Sequence, residues 1–161
     1  MSDYDDYLGF CEQLQYDMKN DFVLCPKNLK EAHDQASSLV RLENVKQYDA
    51  QIASAQKELK RRYQFESEGL VVLPPQSARE IVVEGQKLHH CVGGYAERAA
   101  KRECTILFIR KEEQKSKPFY TVEIRNDRII QVRGFSNCAP TPEVKAFLNA
   151  WEKKKHLNAA A

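Results

Sequence analysis

No glycine or proline interrupts residues 28–65, and that absence limits what the first part of this chain can fold into. Apolar side chains recur there at helical spacing: Leu29, Ala32, Ala36, Leu39, Val40, Val45, Tyr48, Ile52, Ala55 and Leu59. Asn28 is a good N-cap, and Glu31 stands where a capping-box partner belongs. As one helix the run would extend roughly 50 Å at 1.5 Å per residue. That exceeds the width of a domain of 161 residues, so the helix is expected to project, kink or fold back near residues 41–46. A projecting helix would offer a partner surface or a means of self-association. The plainer expectation is that the stripe packs on a first helix over residues 3–15, marked by Tyr4, Tyr7, Leu8, Cys11 and Leu14, and on a sheet. Phe22-Val23-Leu24 reads as an apolar link between them.

Composition changes at Glu66-Ser67-Glu68-Gly69. Leu70 to Leu73 is a short strand stopped by Pro74-Pro75. Ser77, with Glu80 three residues on, opens a helix whose buried face is Ile81, Gly85, Leu88 and Val92, and Gly93-Gly94 is expected to end or bend it. A second short helix with Ala96, Ala99 and Ala100 follows. Thr105 to Ile109 is a strand, and 111–117 a charged hairpin loop. Phe119 to Arg125 and Ile129 to Arg133 are paired strands around a three-residue turn, Asn126-Asp127-Arg128. That register sets Val122 opposite Val132 and Ile124 opposite Ile130, and it leaves Thr121, Glu123, Gln131 and Arg133 on the other face. Thr141-Pro142-Glu143 starts a last helix with Val144, Phe147, Leu148 and Trp151 on its apolar side. The expected class is α+β: a helical part over 1–65, then over 66–155 a three- to four-stranded antiparallel meander packed with short helices. The whole 1–161 is read as one domain, with 156–161 a small, featureless tail whose composition would suit a cloning remnant.

The formal charge of +2 demands neither a nucleic-acid nor a membrane partner. Interleaved acids make solvated surface the better reading of Lys57 to Arg62, Lys101-Arg102 and Lys153 to Lys155. No apolar run approaches the ~20 residues that span a bilayer. Five widely spaced cysteines, Cys11, Cys25, Cys91, Cys104 and Cys138, do not look like a disulfide framework, so a reducing cytoplasm is the expected setting.

The segment with most chemistry is His89-His90-Cys91-Val92-Gly93-Gly94-Tyr95. A thiol stands beside imidazoles, glycines allow backbone to approach a ligand, and Tyr95 adds a stacking side chain. If the chain is an enzyme, Cys91 is the nucleophile and His90 the base, although sequence neighbours on a helix point about 100° apart. His89, His33 or Glu123 would then be the substitutes. Against that, cysteine usually packs as a small hydrophobe. Zinc is disfavoured, because His89, His90, Cys91, Cys104 and Cys138 lack the close pairs of structural sites; no metal and no cofactor are assigned. A binding pocket is the third option. Gln131, Arg133, Gly134, Ser136 and Asn137 cluster where the last strand ends. Arg133 suits a phosphate or carboxylate, and Gln131 and Asn137 offer donors and acceptors for a base edge or sugar. Walker and GxGxxG signatures are absent.

These segments resemble the PcfJ-like family. The resemblance runs through Phe22-Val23-Leu24-x-Pro26-Lys27-Asn28-Leu29-Lys30-x-Ala32-His33-Asp34, Pro74-Pro75-x-Ser77-Ala78-x-Glu80-Ile81 and Glu84-Gly85-Gln86-x-Leu88-His89-His90-Cys91-Val92-Gly93-Gly94-Tyr95. It continues through Thr105 to Arg110, Pro118 to Glu123, Ile130 to Gly134, Asn137 and Thr141 to Val144. It implies a protein carried by bacterial plasmids, integrative elements and phages, named for its place among conjugation genes. Members often run to several hundred residues with such a region at the C-terminus, so the chain would match that region or a short version. The family pattern singles out His90, Cys91, Gly93, Tyr95, Gln131, Arg133, Gly134 and Asn137 together; His89 and Glu123 join them as candidate binding residues. The expected role is a binding module for a nucleotide, nucleic acid or protein partner of the element or host. A small Cys/His hydrolase or transferase on a nucleotide-like substrate, and a phage-type inhibitor of a host defence protein, are the alternatives.

Overall fold

The computed structural model describes residues 2–159, with the side chains of Cys91, Asn158 and Ala159 outside the described set. The chain divides into two compact units, Met1–Lys46 and Gln47–Ala161. The compositional change near residue 66 is a change from helix to strand inside the second unit, not the division between the two.

The first unit is helical. Helix α1 (Asp3–Gln13) is opened by Ser2, which exchanges capping-box hydrogen bonds with Asp5. The apolar link around Phe22 is itself a short helix, α2 (Asp21–Leu24), because the Asn20 side chain caps it by accepting from the Phe22 N–H. Helix α3 (Leu29–Val45) starts at Asn28, whose Oδ1 accepts from the Glu31 N–H at 3.2 Å. Tyr7, Cys11 and Ala36 form the buried centre of this unit. The phenol hydroxyls of Tyr4 and Tyr7 donate to the carbonyls of Leu24 (2.7 Å) and Val23 (2.8 Å), tying α2 to α1.

Helical structure runs from Leu29 to Tyr63 with one interruption, a 3-10 turn at Lys46–Tyr48 that ends α3 before α4 (Asp49–Tyr63) begins. The interruption meets the end of the predicted window, 41–46.

The second unit is built on a sheet in strict sequence order: β1 (Glu66–Ser67), β2 (Leu70–Leu73), β3 (Thr105–Lys111), β4 (Tyr120–Arg125) and β5 (Arg128–Arg133), all antiparallel. The tail contributes β6 (Asn158–Ala159), which pairs parallel with Arg128 and Ile129. Helix α5 (Ala78–Leu88) and helix α6 (Ala96–Ala100) lie between β2 and β3, and α7 (Pro142–Lys155) follows β5.

Alternation along the strands makes two different faces. Leu107, Ile109, Val122, Ile124 and Val132 join Tyr63, Val144, Phe147 and Trp151 in one apolar core. The opposite face carries Arg110, Thr121 and Glu123, all buried. Val132 pairs with Val122 as expected, but Ile124 pairs with Ile129, not Ile130. The turn has only two central residues, Asn126 and Asp127, both left-handed (φ 50° and 57°). A tight turn of that kind matches strand twist, and a bulge beside Glu123 and Ile124 then restores the register. Asp127 is held from α4 by the Arg62 guanidinium and by the Tyr63 hydroxyl at 2.9 Å.

Trp151 is fully buried, and its indole N–H donates to the Tyr63 carbonyl at 3.0 Å. Trp151→Ala is expected to lower unfolding free energy by ~3–5 kcal/mol, read from the urea midpoint. A loss below about 1 kcal/mol would mean that the α7 core is not the main support of the sheet.

Candidate functional site

Helix α5 stops at Leu88 because His89 turns left-handed (φ 52°, ψ 48°) and its N–H bonds back to the Gly85 carbonyl. Gly93-Gly94 therefore does not end the helix as expected. These residues belong to a 3-10 turn, Cys91–Tyr95, that leads directly into α6. The turn folds back on α5. A Cβ at Gly85 would stand 2.8 Å from the Gly93 nitrogen and 3.0 Å from the His90 oxygen, so glycine at 85 is what admits the turn.

Behind the turn lies a buried polar chain. Arg110 grips Glu84 with two parallel hydrogen bonds, Nη1 to Oε1 at 2.8 Å and Nη2 to Oε2 at 2.6 Å. The Thr121 hydroxyl donates to Glu84 Oε1 at 3.1 Å, and His90 Nε2 sits 3.0 Å from that hydroxyl oxygen. His90 Nδ1 accepts from the Val92 N–H at 3.3 Å. A backbone N–H can only donate, so Nδ1 is the bare nitrogen and Nε2 carries the proton. The protons thus run one way, from His90 to Thr121 to Glu84. Burial lowers the His90 pKa, while a backbone hydrogen bond and the Glu84 charge oppose that shift.

A cavity of about 200 Å³ opens in front of this chain. His90, Val92 and Tyr95 of the turn form one side. Ile106, Thr121, Glu123, Gln131 and Arg133 of the sheet face them, with Asn137 at the end of the loop after β5. Glu123 is buried and accepts from Gln131 Nε2 at 3.1 Å and from Arg125 Nε at 2.8 Å. Arg133 is exposed, and its Nη1 donates to the Val132 carbonyl at 3.2 Å.

The structure thus brings His90, Tyr95, Glu123, Gln131, Arg133 and Asn137 to one hollow. It does not bring His89 there: the His89 ring lies edge-on to Phe135, centroids 5.1 Å apart, outside the cavity lining. Gly93 is buried beneath the turn against Gly85. Gly134 serves packing, since a Cβ there would meet both the Tyr120 ring and Cys138 Sγ at 2.8 Å. The Cys91 side chain lies outside the described residues. His90 offers no free lone pair in this arrangement, because both ring nitrogens are engaged. Among the described residues no three His, Cys, Asp or Glu side chains converge as a metal cage.

Sequence reasoning missed Glu84 and Arg110. Their signal was available: Glu84 falls on the buried stripe of α5 beside Ile81, Gly85 and Leu88, and Arg110 shares strand parity with Phe108.

The family model described as PcfJ-like protein matches residues 3–148. The chain belongs to the PcfJ-like family. The matched stretch takes in the first compact unit from residue 3 onward and every residue lining the cavity. A PcfJ-like chain is also similar here to "Uncharacterized protein Lin1253/Lin1744" of Listeria innocua serovar 6a, with 32% identity over 156 residues. That similarity covers 92% of this PcfJ-like chain and 33% of the relative, so the chain spans about a third of that protein's length. No solved structure matches it.

Two outcomes follow from the buried chain. Glu84→Gln is expected to cost ~3–5 kcal/mol, because it leaves Arg110 charged and unpaired, whereas Glu84→Leu with Arg110→Met should cost less than the two single changes added. A urea double-mutant cycle with additive losses would contradict this. For His90 the folded pKa lies below the unfolded one, so the unfolded chain binds more protons as pH falls through the 6.5 region. The stability that neutral His90 contributes is present above its unfolded pKa and drains away as pH drops toward its folded pKa. His90→Asn should flatten that part of the Tm–pH curve; an unchanged slope would refute the assignment.

Proposed function

We propose that this PcfJ-like chain is a non-enzymatic binding module of a bacterial mobile element, acting in the cytoplasm, and that its cavity holds one nucleotide unit, free or within a strand. One observation carries the reading: an aromatic ring, two apolar walls, a carboxylate–amide pair and an exposed guanidinium converge on a ring-sized hollow. The Tyr95 ring, which carries the Arg98 guanidinium 5.0 Å from its centroid, would with Val92 and Ile106 flank a planar base. Glu123 and Gln131 would meet its N–H and carbonyl edges, and Arg133 at the exposed rim would take a phosphate. At about 200 Å³ the cavity is smaller than the ~300–1,000 Å³ of drug-sized pockets. A ring fits inside, so sugar and phosphate would lie outside, toward Arg133.

The full use of both His90 nitrogens supports binding over catalysis by a Cys91–His90 pair. Titration calorimetry with nucleoside monophosphates and with a short single-stranded oligonucleotide tests the proposal. Arg133→Ala should weaken affinity ~10–150-fold, the worth of a charge-assisted hydrogen bond of ~1.5–3 kcal/mol. Cys91→Ser should bind like the unaltered chain. Failure of every nucleotide to bind would sink the proposal. Product formation that stops in Cys91→Ser would replace it with the enzyme reading.

A further inference from the structure

A second hollow lies across the loop that follows β5. It measures about 590 Å³ and shares no lining residue with the first cavity. Its wall is apolar, formed by Leu88 at the end of α5, Pro118 and Phe119 before β4, Tyr120, and Phe135. Lys87 and Lys117 also line it, and no carboxylate does. Glu112 and Glu113, nearby in sequence, lie outside the lining.

Phe135 is 57% exposed, a large apolar surface to leave in water. Its position is nevertheless tightly set. The Cys138 N–H bonds to the Phe135 carbonyl at 3.0 Å, and the Gly134 N–H bonds to the Cys138 carbonyl at 3.0 Å. Ser136 and Asn137 are both left-handed (φ 51° and 61°), and the His89 ring meets Phe135 edge-on. An exposed aromatic on a closed turn has its backbone fixed before any partner arrives, so that part of the ordering cost is already met.

We propose that this groove docks a protein segment in which one aromatic or aliphatic side chain is flanked by carboxylates. The apolar hollow would take the side chain, and Lys87 and Lys117 would face the carboxylates. Charge complementarity favours an acidic partner, since the ionic side chains of the lining are lysines alone. Protein is favoured over single-stranded nucleic acid because two of the three rings, Phe119 and the buried Tyr120, are not free platforms, which leaves Phe135 as the one exposed ring of the lining. The Lys111 ammonium sits over the Phe119 ring at 5.0 Å, and Tyr120 abuts the same ring at 4.7 Å. Stacked bases need open faces; an inserted side chain needs a recess. The proposal rests on different residues from the nucleotide reading and stands or falls separately.

A display selection of random peptides against the full chain tests it. Enriched peptides should share an aromatic or aliphatic anchor beside Asp or Glu. Phe135→Ala should weaken the selected peptides about tenfold or more. Lys87→Glu with Lys117→Glu should abolish their preference for acidic flanks. Nucleotide affinity at the first cavity should not move in either variant, and circular dichroism should show both folded. Enrichment of peptides without acids, affinities untouched by these substitutions, or no enrichment would overturn the proposal. So would a single-stranded oligonucleotide that binds through the same three residues more tightly than the peptides do.

Discussion

The Glu84–Arg110 pair is the interaction on which the rest of this unit's polar architecture depends. Two charges removed from water cost several kcal/mol each unless geometry compensates. Here the compensation is a two-pronged contact plus a third hydrogen bond from Thr121. The Arg110 guanidinium also lies over the Phe108 ring at 4.4 Å, which supports it from its own strand. The pair joins α5 to β3, and Thr121 extends the join to β4 and onward to His90. A helix, two strands and the turn over the cavity are therefore indexed to one another by directional bonds rather than by apolar contact alone. Such bonds specify a geometry more sharply than they add stability.

β4 shows how little sequence is needed to serve two purposes. Val122 and Ile124 point into the apolar core with Trp151 behind them, while Thr121 and Glu123 point to the cavity side. The α7 core and the cavity are thus two sides of one strand. Disturbing the packing under Val122 displaces Thr121 and Glu123 by the same movement. Gly85 and Gly134 act similarly at short range: each removes a side chain where backbone or an aromatic ring comes too close for one.

Much of this was legible in the residues. Alternation placed Thr121, Glu123, Gln131 and Arg133 together, and capping residues located α3, α5 and α7. The hollow's edge residues His90, Tyr95 and Asn137 were legible as a motif, although only folding brings them to the strands. The misses have physical reasons. A histidine in the left-handed region ended α5, where the glycine pair further on was the more obvious stop. The Asn126-Asp127 turn took its two-residue form and passed the mismatch to a bulge, which period-two reasoning does not anticipate. The buried charged pair was hidden because a Glu on a helix and an Arg on a strand end look like surface until their partner is known.

The bulge has a consequence for how this sheet meets the outside world. β5 forms the last antiparallel strand, and among the described residues β6 pairs with it at Arg128 and Ile129. Among the described residues the stretch from Ile130 to Arg133 has no strand partner on that side, and unpaired margins recruit foreign strands. Extra twist from the bulge, a charged Arg133 and the abrupt Gly134 turn make this margin short and ill-matched to a flat intruder. The irregularity that spoils a tidy ladder thereby also disfavours edge-to-edge strand pairing at that margin.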